Sequence, residues 1–204
     1  MSNVCRLRLT DRIFFVTVNL QRNLNDLAPG EYAVVLRALE ESRRRLGFLL
    51  FGYVLMPDHW HALLFPHPPL SISRAVQDVK YVSARRLNRL RQSHGALWQR
   101  QFRDRFVRHE KEFRERLGYM HFNPVRKGLA ARPEDWRWSS YNNFDPATRM
   151  DCPIQIDYVW LPEGYGPNSP TAHYHCTILG RIRECVDIDH LPLNRTRFEQ
   201  LSTY

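Results

Sequence analysis

Residues 48–65 read FLLFGYVLMPDHWHALLF: two apolar runs, 48–56 and 59–65, divided by Pro57-Asp58. Aromatic and β-branched residues suit a pleated, half-buried surface, and Pro-Asp is a turn signal, so the stretch predicts an antiparallel β-hairpin. Side chains alternate along a strand. His59 and His61 therefore share one face, while Trp60 and Ala62 anchor the other in a core.

Working outward, IFFVTVNL at 13–20 predicts a strand, followed by a loop through Pro29-Gly30. From Glu31 to Leu46, Val34, Val35, Ala38 and Leu39 recur on one side with Arg and Glu opposite, and Gly47 stops this amphipathic helix. PHPPL breaks the chain before a basic helix from about Ile72 to Gln92, capped by Ser71 or Ser73. Trp98–Val107 reads as a fourth strand with an irregular middle. Glu110–Asn123 reads as a helix that Pro124 ends, because a residue before proline disfavours α geometry.

The order β-α-β-β-α-β, then one more helix, predicts an α+β fold: a ferredoxin-like, split-βαβ antiparallel sheet with helices on one face. The domain expectation is a body spanning 1–145 and an irregular C-terminal extension, 146–204, rich in X-Pro steps. Cys152, His173, His175, Cys176 and Cys185 have a spacing that matches no familiar zinc site.

The 204 residues carry a formal charge of +9, which favours a polyanionic partner: nucleic acid or an anionic membrane surface. Lys occupies only positions 80, 111 and 127, so 27 of the 30 basic residues are Arg. Guanidinium pairs with phosphate through two hydrogen bonds and stacks on bases, though a GC-rich coding bias produces the same excess. MSNVCRLRLTDR has no secretory h-region, and no stretch approaches the ~18 apolar residues of a membrane span. A cytoplasmic, nucleoid-associated protein with no membrane partner is expected.

For chemistry, the histidine pair suits a divalent ion, and two histidines that bind nothing are the plainer alternative. On the helix 110–123, stepping about 100° per residue, Leu117 and Met120 fall within about 40° of Phe113, and Tyr119 about 120° away. Tyr119 thus leaves the apolar seam and has Asn123 beside it, four residues on. Singly, one is a rim tyrosine and the other a helix cap. Together, two imidazoles, an amide oxygen and a phenol are what a metal-assisted phosphodiester transfer needs, with Mg²⁺ or Mn²⁺ as the hard cation.

VLMPDHWHALLFP (54–66), ALWQRQFRDRFVR (96–108), GYMHFNPVRKGLA (118–130) and PEDWRWSSY (133–141) resemble the corresponding blocks of the REP-associated tyrosine transposases. These are relatives of the single-tyrosine insertion-sequence transposases of the HUH superfamily, and the resemblance runs in order from about Val16 to Tyr141. It implies that His59 and His61 hold Mg²⁺ or Mn²⁺, that Tyr119 is the nucleophile, and that Asn123 stands where the family has its third metal ligand. His121 is not assigned to the metal. Asp58 is a turn residue or orients His59 from behind.

The implied activity is transposase-like: a sequence- and structure-specific single-stranded DNA endonuclease and strand transferase that cuts near REP-type hairpins through a 5′-phosphotyrosine. Arg85, Arg86, Arg89, Arg103, Arg105, Arg108, Arg116 and Arg126 are the candidate DNA-binding residues; Arg116 or Arg126 could also stabilise charge on the phosphate. The partner is hairpin DNA with a single-stranded flank, bound by a monomer or homodimer. The rivals are a non-catalytic hairpin-binding protein of the same fold and a metallohydrolase that uses water in place of Tyr119.

Overall fold

The computed structural model describes residues 12–145 and 148–157. Four strands form one antiparallel sheet: β1 (Phe14–Asn19), β2 (Leu49–Leu55), β3 (His59–Phe65) and β4 (Arg103–Phe106), in the spatial order β2-β3-β1-β4. The long helices are α1 (Tyr32–Leu46) and α2 (Ile72–Leu90), inserted after β1 and β3, and α3 (Glu110–His121) follows β4. This is the split-βαβ order expected from the sequence.

The two faces of the sheet have different jobs. Phe14, Val16 and Val18 of β1, Leu50, Tyr53 and Leu55 of β2, and Trp60, Ala62 and Leu64 of β3 are buried together with Val35, Leu36 and Leu39 of α1 and Val76, Val79 and Leu87 of α2. Each of the larger aliphatic and Phe side chains removed from water contributes about 1.5–3 kcal/mol, so this layer dominates stability. The opposite face carries His59, His61, Phe15 and Thr17, and α3 packs there on β2 and β3.

A β-bulge between Leu50 and Gly52 lets Leu50 and Tyr53 both enter the main core, while Phe51 and Gly52 turn to the α3 side. A Cβ on Gly52 would lie 2.7 Å from Leu117 Cδ1 and 2.8 Å from Met120 Cε, so glycine here is what admits α3 at this depth.

The outer edge of β2 is covered. Leu55 N donates to Trp138 O, Ser140 N to Tyr53 O and Asp157 N to Leu50 O, all at 2.8–2.9 Å. Trp136 and Trp138 also pack on Tyr32 at the start of α1. An otherwise open row of backbone groups is thereby satisfied. Ile154 and Ile156 are buried in the main core, so chain beyond 145 packs on the sheet.

Two local expectations need correction or refinement. Pro124 does not end α3: the helix stops at His121 with Phe122 as its cap, and Pro124 sits in the first turn of a short helix α4 (Asn123–Arg126), where its missing N–H has no helical partner to lose. Regular pairing in the fourth strand is confined to Arg103–Phe106, while Leu97 and Gln99 bond separately to Gln21 and Asn19 at the end of β1. The possible zinc residues at 173–185 lie outside the described residues.

Candidate active site

The β1–β3 register sets Thr17 opposite His61 and Asn19 opposite His59. Both imidazoles are held from behind. His61 Nδ1 is 2.8 Å from Thr17 Oγ1, and His59 Nδ1 is 2.5 Å from Asp58 Oδ1. A carboxylate only accepts, so His59 Nδ1 carries the hydrogen and its Nε2 presents a lone pair. The two Nε2 atoms face one another at 3.1 Å.

Burial, and then the neighbouring His59, push the His61 imidazole down to about 3, so it stays neutral and able to ligate. The Asn123 amide Nδ2 is 3.3 Å from His59 Nε2, and a half-turn of that amide puts its oxygen on the same spot. Among the described residues no group of three or more His, Cys, Asp and Glu is arranged for a metal; here the third donor is an amide. Two inward-facing Nε2 atoms and one amide oxygen are a donor set that fits a small divalent cation.

Tyr119 comes to the same place from α3. Its ring centroid is 5.7 Å from that of His61 and 6.2 Å from that of Phe15, which itself stacks on His61 at 5.1 Å. The side chain is 41% exposed, open to a substrate rather than sealed in the seam of Phe113, Leu117 and Met120. Arg126 lies with its guanidinium 5.4 Å from the centre of the Tyr119 ring. All these groups belong to one chain.

His121 is not at the cluster. It is buried on the other side of α3, Nε2 2.8 Å from Ser140 Oγ, against the rings of Tyr141 and Phe144; burial pushes its imidazole down to about 3. Since Ser140 also bonds β2 at Tyr53, this contact ties the tyrosine helix to the sheet edge.

The candidate arginines divide by face. Arg103 and Arg105 pair with Thr17 and Phe15 across β1–β4 and so share the histidine face. Arg116 lies over Phe15, Arg126 over Tyr119 and Arg108 over Phe106. Arg85, Arg86 and Arg89 belong to α2, in the layer on the far side of the sheet, and are not brought to the site; Arg86 is held by Glu41 through contacts of 2.6 and 3.0 Å. Sequence reasoning missed Phe15 and Thr17, whose alternation puts them on one face. Only the register across β1–β3 shows which histidine they meet.

A chain whose tyrosine, histidine pair and amide converge in this way can be set beside known proteins. Residues 22–113 match the family model described as "Transposase IS200 like". The REP-associated tyrosine transposase of Escherichia coli K12 is 25% identical over 145 residues, covering 70% of this chain and 84% of that protein. Over these residues the chain is similar to the IS200-like transposases. A Haemophilus influenzae protein assigned as a REP-associated tyrosine transposase is 24% identical over 178 residues, covering 82% of this chain and 95% of its own. The same fold occurs in the solved structure of a REP-associated tyrosine transposase bound to a REP hairpin, with a TM-score of 0.63 at 22% identity, covering 82% of this chain and 98% of that one. The family-model match includes His59 and His61 and stops before Tyr119. The place of Tyr119 beside the histidine pair is given by the geometry above.

Proposed function

We propose that this protein is a transposase of the REP-associated kind that cuts and rejoins single-stranded DNA beside an imperfect REP-type hairpin, with Tyr119 as nucleophile. The observation that carries the reading is the meeting, within one chain, of the Tyr119 ring with His61 and of the Asn123 amide with His59. The hairpin substrate is supported by the E. coli and H. influenzae relatives and by the hairpin held in the solved structure.

His59 Nε2, His61 Nε2 and the Asn123 amide oxygen would hold Mg²⁺ or Mn²⁺. When bound, such an ion neutralises charge on the scissile phosphate and orients it. The Tyr119 oxygen attacks phosphorus, forming an O–P bond as the bond from phosphorus to the 3′-oxygen breaks. That oxygen takes up a proton, and the phenol's proton passes to water at its exposed side. The products are a 5′-phosphotyrosine and a free 3′-hydroxyl; attack by another 3′-hydroxyl reverses the step, so linkage energy is conserved without a nucleotide cofactor. Arg126, against the phenol ring, offers donors to the phosphate oxygens as charge builds.

The test is incubation with Mn²⁺ and labelled hairpin DNA carrying a single-stranded flank, read on a denaturing gel. Wild type is expected to give an SDS-resistant adduct that Tyr119→Phe does not. Cleavage by both proteins without adduct would establish the hydrolase instead, and binding without cleavage a recognition module.

A further inference from the structure

Glu112, in the first turn of α3, is only 4% exposed although it carries a charge. Its Oε1 lies 2.8 Å from Arg105 Nε and 3.8 Å from Arg116 Nη2, and its Oε2 accepts from the backbone N–H of Arg108 at 3.1 Å. One carboxylate therefore joins β4 to α3 and is shared by two guanidiniums, leaving one positive charge over. By contrast, Glu41 with Arg86 and Glu31 with Arg91 are one-to-one, each using two guanidinium nitrogens on two carboxylate oxygens.

The Glu112 cluster does not spend its donors in that way. Glu112 Oε1 accepts no aligned hydrogen bond despite the short ion-pair distance, and Arg116 Nε is buried without a partner among the described residues. Arg105 remains 55% exposed and Arg116 30%. Arg116 sits 5.7 Å from the centre of the Phe15 ring, the ring that contacts both His61 and Tyr119. Two guanidiniums with surplus charge and unspent donors thus stand one aromatic ring away from the reacting centre. Phosphodiester oxygens match such a pair in charge and spacing, and a carboxylate that fixes both in advance lowers the ordering cost of binding.

We infer that Arg105 and Arg116, clamped by Glu112, form a phosphate-binding subsite for a nucleotide neighbouring the cleaved linkage, with Glu112 as a positioning residue. The subsite's place in cleavage rests on the strand-transfer reading above; its binding of single-stranded DNA does not. The test measures affinity of the full chain for a short single-stranded oligonucleotide without divalent cation, over a salt series, with Arg44→Ala on α1 as the charge control.

Arg105→Ala and Arg116→Ala are each expected to weaken binding about fivefold beyond the control and to lower the salt slope by about 0.7, the value for one phosphate contact on a single strand. Glu112→Gln is expected to weaken binding too, although loss of a negative charge alone would tighten it. Affinities of the arginine variants equal to the control, or tighter binding by Glu112→Gln, would overturn the inference. Should Glu112→Gln fail to fold, oligonucleotides with single neutral methylphosphonate linkages decide: one position should cost wild type about fivefold and Arg105→Ala nothing, whereas an equal cost at every position refutes the subsite. Tight binding by a wild type that forms no adduct would remove strand transfer and leave the subsite standing.

Discussion

Asp58 and Thr17 hold the cluster from behind through the Nδ1 atoms, so that the two Nε2 atoms face inward. Asp58→Ala and Thr17→Val are each expected to weaken Mn²⁺ binding about tenfold, read by metal titration, with little change in folding. Arg126→Ala, which removes the cation against the phenol, should slow adduct formation about 10- to 100-fold while hairpin affinity changes much less. The histidine pair was legible because strand alternation alone aligns residues 59 and 61. Thr17 and Glu112 were not, since their roles depend on a register and on the approach of α3 to β4, neither of which a local pattern encodes. Asp58 was read mainly as a turn residue, and it both makes the turn and contacts His59.

The tyrosine helix α3 is placed by close packing rather than by its own propensity. Gly52 gives it room on β2, and His121 with Ser140 fastens its end to the sheet edge. Gly52→Ala must displace the ends of Leu117 and Met120, costing about 1–3 kcal/mol, and should reduce adduct formation more than DNA binding because the phenol moves while the arginines of β4 do not. Thermal melting and the adduct assay together check this. His121 gives the same anchor a pH dependence. Its folded value of about 3 lies below the ordinary 6.5, so the unfolded chain binds the proton more readily; the stability is complete above pH 6.5 and is lost as pH falls toward 3. His121→Gln should flatten the fall in urea stability between pH 7.5 and 5.5 by about 1 kcal/mol. Element types and order followed from periodicity and turn residues. The continuation past Pro124 did not, because proline is compatible with both a helix end and a new first turn.

At the scale of the molecule, one sheet separates a stabilising layer, α1 and α2, from the proposed reactive face, whose tyrosine and histidines come from the same chain. A mixture of Tyr119→Phe with a His59→Ala/His61→Ala double variant is therefore expected to form no adduct; restored activity would show that α3 is exchanged between subunits. The fold class could be read from the order of the elements. The division of arginines between the two faces could not, since net charge has no direction until the sheet is assembled. The most direct test of the central claim is peptide mapping of the covalent DNA–protein product made by wild type with Mn²⁺. The expected result is a 5′-phosphonucleotide on the peptide containing Tyr119 and on no other tyrosine peptide. Attachment at a different residue, or cleaved DNA with no attached peptide, would contradict it.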